Sequence, residues 1–147
     1  MSRARRKQEL QRLFTARVHI AQTMGMRLDF DDEDRPVVTM PYDPRFNQAA
    51  GGIHGGVYAT LLDTAAWFAA ALNHGDSGWI ATSELTIHYL KPAAETDLTA
   101  VGRLIKGGRR QDIAESHLYD VRGELVGHAI GTFMLLSHLP AGPREEA

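Results

Sequence analysis

Two stretches of the chain carry apolar residues at helical spacing. The first predicts one amphipathic helix over residues 3–23, with apolar positions at Leu10, Leu13, Phe14, Val18 and Ala21. The second runs from Gly55 to Asn73 and is rich in alanine and leucine, which predicts a buried helix. Its interior is polar only at Thr60, Asp63 and Thr64.

The second half of the chain has the alternating or β-branched patterns that are typical of strands. Strands are expected at 79–90, 97–106, 111–121 and 124–137, and earlier at 25–30 and 36–41, with a loop at 42–53. Gly107-Gly108 and Arg122-Gly123 mark hairpin turns, so the four later strands are predicted to form an antiparallel meander. Because the sheet must bury an apolar face, we expect an α+β fold in which it wraps around the central helix.

Composition and charge narrow the possible functions. A chain of 147 residues with 44% hydrophobic residues predicts one globular domain, and its net charge of −2 disfavours nucleic acid as a partner. The absence of cysteine excludes disulfides and cysteine nucleophiles. No apolar run suggests a membrane span or a signal peptide, so we expect a soluble, cytoplasmic protein. The predicted organisation is a helix at 1–23, a main domain at 24–138 and a flexible tail at 139–147.

The histidines of the sequence do not suggest a metal site. All seven are scattered, and none shows the spacing of helical metal ligands. No bound metal or other cofactor is therefore expected.

Asp63 is the residue whose chemistry stands out. One interpretation makes it the N-cap of a shorter helix that starts at Thr64, since aspartate is a favoured cap. The other places it inside the apolar helix with no basic partner. Burial would then raise its pKa, as expected for a base or nucleophile.

The start of the same helix offers complementary chemistry. Gly55 and Gly56 allow close approach to the backbone, and the first N–H groups of a helix are free to stabilise an oxyanion. The alternative is that GGIHGG only connects two elements. Gly55 and Asp63 lie about 12 Å apart along a helix, so one acyl carbon cannot contact both in one chain. A shared site therefore requires two subunits related by a two-fold axis.

The segments NQAAGGIHGGVYATLLD and TSELTIHYLKPA, with GRR near a turn, resemble the hotdog-fold acyl-CoA thioesterases, most closely those of phenylacetate degradation. The resemblance covers residues 24–136. It implies that the Gly55 N–H binds the thioester carbonyl, that Asn47 assists, and that Asp63 of the opposite subunit activates water or attacks directly. Thr82 is implied to hold the water.

The resemblance also suggests residues that bind substrate. His54 is expected to shape the loop and Gly56 to admit the ligand, and Ser83, which is adjacent to Thr82, is a further candidate. Trp67 is a candidate for the acyl pocket, although it also fits a position in the core. Arg109 and Arg110 are candidates for the CoA phosphates, although they also fit a solvated face.

The leading functional hypothesis is an acyl-CoA thioesterase that acts on a small, possibly aromatic, acyl group. It is expected to work as a homodimer or homotetramer with interface sites and without a cofactor. Two alternatives remain open: an enoyl-CoA hydratase or dehydratase of the same fold, and a non-catalytic acyl-CoA-binding protein.

Overall fold

The N-terminal segment forms two helices rather than one. The structure, a computed structural model, describes residues 1–142, so most of the predicted tail lies outside the described residues. Helix α1 spans Arg3–Arg17 and α2 spans His19–Met24. The prediction of a single helix over 3–23 is wrong because Val18 leaves helical geometry, with φ −89° and ψ 82°. The break is supported by the Gln22 side chain, which donates to the carbonyl of Thr15 at 2.8 Å.

The chain continues through two short strands, β1 (Arg27–Phe30) and β2 (Pro36–Met40), and a loop that contains one 3₁₀ turn at Pro44–Phe46. The long helix α3 spans Gly55–His74. It is followed by four strands: β3 (Trp79–Tyr89), β4 (Leu98–Lys106), β5 (Gln111–Tyr119) and β6 (Leu125–Leu136). The predicted types and approximate positions of these elements agree with the structure.

All strands form one antiparallel sheet in the order β1-β2-β4-β5-β6-β3. The predicted meander holds for β4, β5 and β6, but β3 pairs with β6 instead of β4, so that part of the prediction is wrong. The segment from Leu90 to Asp97 is a crossover and not a hairpin. It passes the start of β6, where Leu90 and Lys91 both donate to the carbonyl of Val126. As a result β3 is an edge strand.

Helix α3 packs against one face of the sheet, which confirms the predicted α+β architecture. Leu61, Leu62 and Phe68 are among its buried side chains. At Gly102 of β4, a Cβ atom would overlap with the carbonyl of Ala65, so glycine is required where helix and sheet approach most closely. None of the helices within residues 1–142 is long and apolar enough to cross a membrane.

Candidate active site

Asp63 lies in the middle of α3, which begins eight positions earlier at Gly55. The capping interpretation is therefore wrong. Among the described residues one hydrogen bond reaches the carboxylate, from the Thr82 hydroxyl to Oδ1 at 2.9 Å. Burial raises the pKa of Asp63, and the Thr82 hydrogen bond opposes this shift in part. A half-buried carboxylate with one neutral partner has the environment of a proton acceptor.

A cavity of about 320 Å³ adjoins Asp63. Its apolar walls come from α1, α2, α3 and β3, and comprise Leu13, Val18, Ile20, Trp67, Phe68 and Trp79. Trp67 is held in place because its Nε1 donates to the carbonyl of Ile80 at 2.8 Å. Its ring centroid lies 5.2 Å from that of Trp79. Among the residues that line this cavity, Asp63 is the only acid or base. We refer to it as the Asp63 cavity.

The start of α3 leaves one backbone donor available. His54 is the N-cap, and its Nδ1 accepts from the Gly56 N–H at 2.7 Å. The Val57 N–H donates to the carbonyl of His54. Within residues 1–142 the Gly55 N–H has no hydrogen-bond partner. The His54 side chain thus fixes the loop and accepts the Gly56 N–H, whereas the Gly55 N–H remains free to donate to an oxygen.

Asn47 lines a second cavity, of about 380 Å³, together with His54 and Gly56. Its Nδ2 donates to the Tyr42 hydroxyl at 2.8 Å, and its buried Oδ1 has no partner among the described residues. Ile20 and Thr60 line both this cavity and the Asp63 cavity, so the two are adjacent. Asn47, the start of α3 and Asp63 therefore lie along two adjacent cavities on the same side of α3.

Thr82 and Ser83 lie at an irregularity of β3. The pairing with β6 shifts between Thr82 and Glu84, which leaves Ser83 without a partner in the register. The Ser83 hydroxyl donates to the carbonyl of Thr132 at 3.1 Å, whereas Thr82 turns to Asp63. Bulges of this kind re-aim side chains near active sites.

Arg109 and Arg110 do not join this group in one chain. They are exposed in the turn between β4 and β5. That turn packs against the C-terminal end of α3, because a Cβ at Gly107 would lie 2.6 Å from the Asn73 side-chain nitrogen. Asn73 is about 27 Å from Gly55 along the helix axis. The structure therefore gives no support to a role for this pair beside the Gly55 of the same subunit.

The sequence did not point to Tyr42, Tyr89, Thr60 or the apolar wall from the N-terminal helices. Tyr89 is 56% exposed, and a Cβ at Gly55 would lie 3.1 Å from its ring. Tyr42 and Tyr89 reach the site through tertiary contacts, which leave no local signal. Thr60 had one available signal: it lies three residues before Asp63 and so shares its helix face.

The comparisons with known proteins place the chain in a family. The family model described as Thioesterase superfamily matches residues 50–126, more than half of the chain. The chain belongs to the thioesterase superfamily. This membership confirms the predicted class of enzyme, a thioester hydrolase.

Individual relatives agree with this membership. A Saccharolobus solfataricus protein named as an esterase is 30% identical over 105 residues, which are 71% of this chain and 74% of that protein. The crystal structure of the Bacillus halodurans protein BH2602 with CoA is 30% identical, with a TM-score of 0.78 and coverage of 88% and 86% of the two chains. The E. coli PaaI protein from the phenylacetic acid degradation operon has a TM-score of 0.80 at 24% identity and coverage of 92% and 96%, a likeness of fold alone.

Proposed function

We propose that this thioesterase hydrolyses acyl-CoA substrates whose acyl group is small and carries one aromatic ring. The observation that carries the proposal is the position of Asp63, a single carboxylate at a cavity with aromatic walls. An apolar cavity of about 150 Å³ suffices for benzene. The Asp63 cavity, at about 320 Å³, therefore has room for a one-ring acyl group and a water molecule.

The reaction follows from the groups at the site. The Gly55 N–H donates to the thioester carbonyl oxygen and stabilises the negative charge that develops there. Asp63 accepts a proton from water as the water oxygen attacks the carbonyl carbon. The C–S bond then breaks, and the CoA thiolate takes the proton back from Asp63, which leaves the free acid and CoA. Thr82 orients the Asp63 carboxylate through its hydrogen bond.

The site is proposed to form between two subunits. Gly55 and Asp63 are too far apart in one helix to act on one carbonyl. As an edge strand, β3 presents unpaired backbone groups. Pairing of two β3 strands across a two-fold axis would extend the sheet and set the two α3 helices antiparallel. That arrangement is what a site made from Gly55 of one subunit and Asp63 of the other requires, in a homodimer or in a homotetramer of such dimers.

CoA is the proposed thiol carrier because the related BH2602 structure was determined with CoA. In this chain the second cavity, which is lined by Asn47, adjoins the helix start and is also lined by Arg45. The exposed ring of Tyr89 packs beside Gly55. These residues are better placed for the part of CoA next to the thioester than Arg109 and Arg110 of the same subunit.

The rival activities differ in the groups that they need. A hydratase moves two protons and uses a second acid or base beside the first. Within one subunit, the residues that line the Asp63 cavity include no second acid or base. A binding protein without activity has no need of a desolvated carboxylate beside its ligand, since this costs stability. Both considerations favour hydrolysis.

The test is a thiol-release assay across acyl-CoAs with acetyl, phenylacetyl and palmitoyl groups, with purified wild type and Asp63→Asn. We expect phenylacetyl-CoA to give the highest kcat/KM. Asp63→Asn should lower kcat by about 10² or more with the fold retained. Asp29→Asn, at an exposed aspartate of β1, is the matched control and should match wild type. Near-normal turnover by Asp63→Asn would remove Asp63 from the mechanism, and a preference for palmitoyl-CoA would contradict the proposed acyl group.

A further inference from the structure

A cluster of histidines lies on the sheet face that points away from α3. On β5 the even-numbered residues from Asp112 to Leu118 are buried towards the helix, so Glu115 and His117 face the other side. His117 lies directly opposite His128 of β6 in the strand register. His128 in turn lies opposite His88 of β3. The pairing thus places three imidazoles in one row across three adjacent strands.

We propose that Glu115, His117 and His128 form a binding site for one divalent transition-metal ion of the zinc class. One ligand atom from each residue lies within 4.8 Å of the other two. Imidazole nitrogen and carboxylate oxygen are ligands that zinc accepts. Within the described residues this is the one group of at least three such side chains close enough to hold an ion.

The distances are near those of a bound ion. In a tetrahedral zinc site with bonds of about 2.0–2.1 Å, the ligand atoms lie about 3.4 Å apart. His128 Nε2 and Glu115 Oε2 are 3.1 Å apart already. The remaining contraction, from at most 4.8 Å, requires only side-chain rotation of surface residues. The site is assembled by the sheet, because cross-strand pairs stand close on one face.

The surroundings of Glu115 also suit a ligand. Its Oε1 accepts from Arg103 Nη2 at 2.6 Å, which leaves Oε2 to face the histidine. A ligating carboxylate held by a second hydrogen bond is the usual arrangement around metals. The side chains of Glu115 and His128 are 13% and 24% exposed, so an ion can enter from solvent and keep water as a further ligand.

This site is separate from the proposed active site. Asp63 lies on α3, which covers the opposite face of the sheet. Bound metal would link neighbouring strands, and we therefore expect it to stabilise the fold rather than to take part in hydrolysis. This inference does not depend on the proposed acyl substrate.

The test uses the full chain without an affinity tag, dialysed against a chelator and then titrated with zinc chloride in a calorimeter. We expect one zinc ion per chain in wild type, no binding in His117→Ala and His128→Ala, and weaker binding in Glu115→Gln. Two variants should bind as wild type: His19→Ala, at an exposed histidine of α2, and Asp63→Asn. With zinc at about 100 times its dissociation constant, the melting temperature should rise by roughly 5–10 °C and fall back with chelator.

Cobalt supplies a second measurement that depends on ligand identity. Its visible absorption should show a site with nitrogen and oxygen ligands in wild type and should be lost in His128→Ala. Circular dichroism shows whether each variant is folded. Wild type that binds no metal would overturn the proposal and leave the cluster as a hydrogen-bonded surface group. One-to-one binding that persists in a folded His117→Ala, His128→Ala double variant would also overturn it.

Discussion

The hydrogen bond from Thr82 to Asp63 provides the sharpest test of the mechanism. The Thr82 hydroxyl is the one hydrogen-bond donor to Asp63 within the described residues, at 2.9 Å from Oδ1. Thr82→Val removes that donor and keeps the shape of the side chain. The effect on activity therefore reports the hydrogen bond rather than packing.

The magnitude follows from the strength and exposure of this hydrogen bond. A hydrogen bond to a charged group contributes about 1.5–3 kcal/mol. Thr82 is exposed and Asp63 only half-buried, so solvent screening places the value near the lower limit. Because this hydrogen bond is already present before the reaction, only its orienting effect on the carboxylate in the transition state contributes to kcat. About 1.4 kcal/mol is therefore an upper limit, and kcat should fall by at most about tenfold.

The pH dependence should change in a defined direction. The Thr82 hydrogen bond favours the ionised carboxylate, so its removal raises the pKa of Asp63 above the value already raised by burial. A general base works when ionised and loses activity as the pH falls through its pKa. In Thr82→Val the acid limb of kcat should therefore lie at higher pH than in wild type.

The assay is thiol release at saturating substrate from about pH 5 to about pH 9. Thr82→Ser, which keeps the hydroxyl, should recover most of the activity. Thr86→Val is the matched control on the same strand, because its hydroxyl donates to Glu84 instead, at 2.7 Å. If Thr82→Val keeps both the kcat and the acid limb of wild type, Asp63 is not the base that we describe.

Three further predictions test the site and the fold. Gly55→Pro should stay folded, since proline is tolerated in the first helical turn. Because the variant lacks the N–H donor, it should lose about 3–4 kcal/mol of transition-state stabilisation. Full activity would exclude the Gly55 N–H as the oxyanion donor. Mixing Asp63→Ala chains with Asn47→Ala chains should restore activity if subunits exchange, and confirmed heterodimers without activity would indicate a site within one chain. Asp112→Ala should lower the free energy of unfolding in urea by about 1–3 kcal/mol, because the buried Asp112 carboxylate accepts the Gly108 N–H at 2.9 Å and its loss leaves that donor without a partner. Unchanged stability would contradict that role.

The sequence predicts what depends on local pattern. Helix α3 is delimited by Gly55 at its start and by Gly75 just after its end, and its alanine-rich interior has no breaker. The break at Val18 leaves no such mark, because the apolar spacing continues from Phe14 to Ala21. The partner of β3 was also mispredicted. Strand order depends on pairing between strands that are distant in sequence. The Leu90–Asp97 connection is compatible with pairing of β3 to either β4 or β6.

The same limit applies to the sites. His54, Gly55 and Asp63 are close in sequence, so their relation can be predicted from helix geometry. The family resemblance implied that Thr82 holds the water, but the direct hydrogen bond from Thr82 to Asp63 was not predicted. The cluster of Glu115, His117 and His128 cannot be recognised from helical spacing. On a sheet, ligands come from alternate positions of one strand and from the strand paired with it.

The chemistry of Asp63 and the proposed choice of substrate have one physical cause. The apolar walls that would bind an aromatic ring, among them Trp67, also remove water from the carboxylate and raise its pKa. For a carboxylate whose pKa is raised on folding, stability is greatest below the unfolded-state pKa and falls as the pH rises through the folded-state pKa. The enzyme therefore works in the pH range where ionised Asp63 destabilises the fold. A more polar pocket would relieve that cost, but it would weaken both the base and the binding of the acyl group.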